Sequence, residues 1–173
     1  MRERMIAVVV VTAFFGLIWL YVREFPVLSN TLYIRLLLLM AVVLGLSLSA
    51  TTLWVFRNRF RPWARHIPEL LSISTVYLLF MPLVMSLLNR AGGSVSHEPF
   101  EFIAESPYLA AQYGILKGEK IQPTGYRLRV VKNERIYTFR YKNQAYFPLT
   151  KPGETVLLPL HTGLLGFPVV QLQ

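Results

Sequence analysis

Three long apolar runs, residues 5–22, 32–56 and 67–88, fill the first half of this chain, and the second half has none. Each is close to the roughly 20 residues that an α-helix needs to cross the hydrocarbon core of a bilayer. In that medium a backbone must satisfy its own hydrogen bonds, so an apolar run of this length has essentially one outcome, a spanning helix. Residues 89–173 mix polar and apolar positions and read as a small folded unit. The expected architecture is an integral membrane α-helical protein. A three-helix transmembrane domain covers 1–88, and a small C-terminal extracytoplasmic β-rich (α+β) domain covers 89–173.

Composition agrees with this division. Hydrophobic residues make up 54% of the chain and charged residues 16%, against about 25% charged in a typical soluble domain. Cysteine is absent, which removes disulfides and thiolate chemistry. Aspartate is absent too, so every acid is a glutamate. The net charge of +9 is spread over both halves: eight arginines face three glutamates in 1–88, and ten basic residues face six glutamates in 89–173. Beside membrane spans such an excess sets orientation and meets lipid headgroups. Membrane lipids, and not nucleic acid, are the expected partners.

The loops give the orientation. Residues 57–66 carry Arg57, Arg59, Arg61 and Arg65 with no acid, whereas 23–30 is neutral, with Arg23 balanced by Glu24. By the positive-inside rule the four arginines form a cytoplasmic anchor. Three spans then leave the N-terminus in the cytoplasm and the C-terminal domain outside, which in a bacterium means an inner-membrane protein with a periplasmic domain. Residues 17–23 are bulky throughout and offer no small-residue cleavage site, so the first run reads as a retained span.

Within the second run Ala41, Gly45 and Ser49 recur every four residues, with Thr52 near the same face. Small residues at this spacing let helix backbones approach closely, either within one chain or along a seam between copies. Ser72, Thr75 and Ser86 are isolated hydroxyls in the third run, which also holds Pro82. Arg35 and Glu69 lie near span ends, and no ionisable residue falls at mid-depth, where a proton or ion relay would place one.

Outside the membrane, Ser106-Pro107 followed by Gly118 reads as the start and stop of a short helix, with Tyr108, Ala111 and Ile115 on one face. Residues 126–131 and 136–141 alternate, with Asn133-Glu134 as a two-residue turn. That turn sets Val130 opposite Tyr137, Leu128 opposite Phe139 and Tyr126 opposite Tyr141, all on one side of the pleat. Further strands are expected at 144–149, 155–160 and 167–172, completing a compact β-meander or a small open barrel.

The other side of the hairpin carries Arg127 against Arg140 and Arg129 against Thr138, with Lys132, Arg135 and Lys142 at its ends. Directly opposed arginines repel, so this face suits solvent or an anion. It is the expected basic recognition face. Catalytic chemistry is hard to assemble: no nucleophile elbow or phosphate-cradling glycine loop is present, and a metal site would draw on His97, Glu101 and His161 alone. No catalytic, cofactor or metal residue is therefore assigned. The chain reads as a non-enzymatic inner-membrane subunit acting through assembly with copies of itself or another subunit. The alternative is a homo-oligomeric channel or membrane sensor, for example of a stress or phage-defence system, its pore lined by Ser47, Thr51, Ser72 and Thr75.

Overall fold

The computed structural model describes residues 2–108, 123–142 and 144–172. Helices α1 (Arg2–Ser29), α2 (Ile34–Val55) and α3 (Ile67–Arg90) precede five strands, with a single 3-10 turn at Trp63–Arg65 between α2 and α3. The strands are β1 (Ser94–Tyr108), β2 (Gly125–Lys132), β3 (Arg135–Tyr141), β4 (Thr155–Thr162) and β5 (Pro168–Val170). All three helices are long and apolar enough to cross a membrane. The strands form one curled antiparallel sheet.

The first helix is longer than its apolar run. Residues 23–29, read as part of the first loop, continue α1, leaving only residues 30–33 to reach α2. The cause is tertiary. The Glu24 carboxylate accepts hydrogen bonds from Ser86 Oγ at 3.1 Å and from Arg90 Nη1 at 2.9 Å, both on the last turns of α3. Pro26 lies inside the final turn of α1, where it removes one backbone donor from the helix.

The hairpin has the expected register. Tyr126 lies opposite Tyr141, Leu128 opposite Phe139 and Val130 opposite Tyr137, around a turn at Asn133 and Glu134 with positive φ at both. That is the backbone twist a two-residue hairpin needs. Elsewhere the sheet departs from a meander, since the strand order is β3-β2-β1-β4-β5. Residues 94–108, where sequence reasoning places only a helix start at Ser106-Pro107, form the longest strand. β1 pairs with β4 through residues 94–101 and with β2 through 101–108, the two pairings overlapping at Glu101. Pro99 and Pro107 each occupy a half of β1 with one neighbour, the edge-like setting in which a strand tolerates proline. A register shift between Phe102 and Ala104 bends the strand at the changeover.

Ser106, Pro107 and Tyr108 are therefore strand residues, and the remainder of the expected helix lies outside the described residues. Residues 144–149 do not pair as a strand. Their backbone is held by a side chain instead, the Glu105 carboxylate accepting from the N–H groups of Tyr146 and Phe147.

The curled sheet is closed by the connector between α1 and α2. Asn30 holds the free edge of β3, its side chain donating to the Arg140 carbonyl and accepting from the Arg140 N–H. On the other side Thr31 bridges Val169, Leu32 N–H donates to the Pro168 carbonyl and Val170 N–H to the Asn30 carbonyl, which covers the free edge of β5. Residues 30–32 thus act as a sixth stave, and Leu32 is buried in the sheet core with Phe100, Leu128, Phe139 and Leu158. A second apolar cluster forms the joint, where Phe167 inserts from the β4–β5 loop among Leu28, Leu37 and Met85 of the three helices.

Candidate functional site

The α2 stripe lies against α3 of the same chain. Ala41, Gly45 and Ser49 are buried, the Ser49 and Ser74 hydroxyls are 2.8 Å apart, and the Thr52 hydroxyl lies 2.9 Å from the Tyr77 hydroxyl. A Cβ on Gly45 would stand 3.3 Å from the Tyr77 carbonyl oxygen, tighter than ordinary contact against backbone that cannot step aside. Gly45→Leu is thus expected to wedge α2 from α3 at a cost of about 2 kcal/mol or more. Thermal unfolding in detergent checks this, with Gly16→Leu, at a position where a Cβ meets nothing within 4 Å, as the neutral reference.

The basic residues separate into two groups. Arg127, Arg129 and Arg140 share the outer face of the hairpin, Arg127 directly opposite Arg140. Arg127 is half-buried, and its Nε has no hydrogen-bond partner among the described residues. Lys132 and Arg135 do not join this face. Strand alternation carries them to the core side, where Lys132 is ion-paired with Glu98 and stands 5.0 Å from the Phe100 ring centroid. Lys142, just beyond β3, continues towards the ends of the helices. The four arginines of the 57–65 segment are exposed at the opposite end of the helices, with the Arg57 guanidinium 5.6 Å from the Trp54 ring centroid.

Where the sheet meets the helices, the outer face opens into a cleft of about 500 Å³. The last turns of α1 supply Phe25, Pro26 and Ser29, and the last turn of α3 supplies Arg90. Arg140, Tyr141 and Lys142 line it from the end of β3, and Tyr108 from the end of β1. The Asn30 clip fixes this geometry, because it seats the Arg140 backbone on the helix ends. The Arg140 guanidinium stands 5.8 Å from the Tyr108 ring centroid. Tyr141 is 4% exposed, yet its hydroxyl has no hydrogen-bond partner among the described residues. No described carboxylate lines the cleft. Of its cations only Arg90 has an acidic partner among the described residues, Glu24.

Sequence reasoning missed Glu24 and Arg90 because it placed them in loops. The usable signal was a glutamate one helical turn before the end of α1 and an arginine in the last turn of α3, two charges at the same depth of adjacent helices. The hydroxyls considered for a pore are engaged locally: Ser47, Thr51 and Ser72 each donate to a carbonyl one turn earlier in their own helix, at 2.8 Å. Thr75 is exposed. His97 lies opposite Pro159 and His161 opposite Val95. Among the described residues no three His, Asp or Glu side chains converge as a metal-ligand set. Comparisons with protein-family profiles, with characterised proteins and with solved structures find no match to this chain.

Proposed function

We propose that this chain is a non-enzymatic subunit of a bacterial inner-membrane assembly, with its N-terminus and the 57–66 loop in the cytoplasm and its curled sheet in the periplasm. In this reading α1 packs against a second copy or another subunit, and the outer face bearing Arg127, Arg129 and Arg140 is the recognition surface.

The observation that carries the reading is the packing of α1. Only 6% of its most apolar window is buried, against 22% for α2 and 28% for α3. It meets α3 at the Phe14–Phe80 ring contact and at Glu24, while Val8, Val9, Phe15 and Trp19 stay more than half exposed. Helices in lipid associate through van der Waals packing, and α1 retains most of that capacity. The orientation is supported by four exposed arginines with no acid between them on one loop. The non-enzymatic character is supported by the structural engagement of four carboxylates: Glu24 and Glu98 hold cations, and Glu105 and Glu154 accept from backbone N–H groups.

Native mass spectrometry of gently solubilised protein tests the reading. A stoichiometric second subunit, or a defined homo-oligomer that dissociates when Phe15 and Trp19 are replaced by alanine, is the expected result. A monomer carrying lipid alone would overturn it.

A further inference from the structure

We propose that the cleft at the foot of the sheet binds the phosphate of an anionic phospholipid from the leaflet on the sheet's side of the membrane. The inference deepens the recognition half of the reading above and rests on the three helices crossing a bilayer.

Depth is the first argument. Helices of 22 and 24 residues, α2 and α3, are about 33–36 Å long at roughly 1.5 Å per residue, so their ends emerge from a hydrocarbon core of about 30 Å at headgroup level. The cleft is lined by the last turns of α1 and α3 and therefore opens at that level. Charge is the second. Arg90, Arg140 and Lys142 converge on the cleft, and Glu24 offsets only Arg90. An anion is favoured there, and the ammonium of a zwitterionic headgroup is repelled.

Lipid is favoured over a free phosphate by the opposite wall. Phe25, 55% exposed, and Pro26 present apolar surface beside the cations, continuous with the lipid-facing side of α1. A glyceride backbone and acyl chains would cover that surface, and an inorganic anion would leave it bare.

The test is native mass spectrometry of the full chain in detergent, titrated with phosphatidylglycerol, phosphatidylcholine or glycerol 3-phosphate. One phosphatidylglycerol is expected to remain bound under conditions that strip phosphatidylcholine. Its affinity should fall on the order of tenfold or more in the Arg140→Ala, Lys142→Ala double variant, since charge-assisted hydrogen bonds are lost. The Asn30 clip uses the Arg140 backbone, so these truncations leave it in place. Lys151→Ala should behave as the parent. If the double variant fails to fold, Lys142→Ala alone decides, since Lys142 is exposed beyond the end of β3: unchanged retention overturns the site. Equal retention of the two lipids, or displacement of phosphatidylglycerol by glycerol 3-phosphate, also overturns it. Subunit mass is read in the same spectra. A monomer that keeps its phosphatidylglycerol sinks the assembly reading alone, and a complex without the lipid sinks the site alone.

Discussion

Gly163→Ala is expected to detach the sheet from the helices. A Cβ at position 163 would overlap the carbonyl of Asn89 in the last turn of α3. The obstacle is backbone within a helix, so no rotamer change relieves it, and either α3 or the β4–β5 loop must move. Movement of that loop withdraws Phe167, which is 5% exposed and packed among Leu28, Leu37 and Met85. Burial of such a ring is worth roughly 2–3 kcal/mol. Steric overlap adds to that, so the total loss is placed above about 3 kcal/mol, at the severe end for one substitution. The readout is limited proteolysis of protein in liposomes. Cleavage should appear within residues 144–172 while the three spans stay protected. Gly153→Ala separates this effect from glycine chemistry in general, since a Cβ there meets nothing and only its φ of +90° is strained. Its cost should be nearer 1 kcal/mol.

Asn89→Ala is expected to produce the second largest loss. The Asn89 side chain donates to the Phe167 carbonyl at 2.8 Å and accepts from the Phe167 N–H at 3.2 Å, so it replaces a β-ladder partner at a site where it is itself 1% exposed. Alanine leaves both backbone groups buried without partners, at roughly 1–3 kcal/mol for each. Asn89→Asp should not rescue, because a carboxylate accepts but cannot donate. Asn30→Ala removes the analogous clip on Arg140, which is only part-buried, so water can substitute and the loss should be smaller. Hydrogen exchange of the Phe167 and Arg140 amides resolves the two cases. Each should speed up in its own variant and stay slow in the other.

What the sequence made legible follows from the range of the forces involved. The three helices and the 126–141 hairpin are specified by local periodicity, hydrophobic length in one case and strict alternation around Asn133-Glu134 in the other. Strand β1 was hidden by Pro99 and Pro107, which argue against a strand with two neighbours. They are admitted because each half of β1 has only one. The helix expected from Ser106-Pro107 rested on residue types alone, and pairing of Ser106 with Arg127 and Pro107 with Tyr126 overrode them. Of the basic residues, alternation places Arg127, Arg129 and Arg140 on one face, but no local rule shows that Lys132 will find Glu98 on the neighbouring strand. The junction was least legible. Glu24, Asn30 and Asn89 act on residues 62 to 110 positions away, and an asparagine that completes a sheet looks in sequence like any loop asparagine. The cleft is built entirely from such distant ends.

The stave at residues 30–32 has a consequence for how the protein is made. Its partners are the last strand and the end of β3, the latter 110 residues further along the chain. Synthesis therefore delivers the first membrane hairpin long before the strands that need it, with β5 the last of the five. Folding of the sheet has to wait for β5, with its two open edges converging on a connector already held at the membrane surface. Loop closure over such separations is slow, and edges left open meanwhile invite pairing with other chains. A connector tethered at the bilayer concentrates the correct partner beside those edges, so insertion of the first two helices serves as the template on which the rest of the molecule matures.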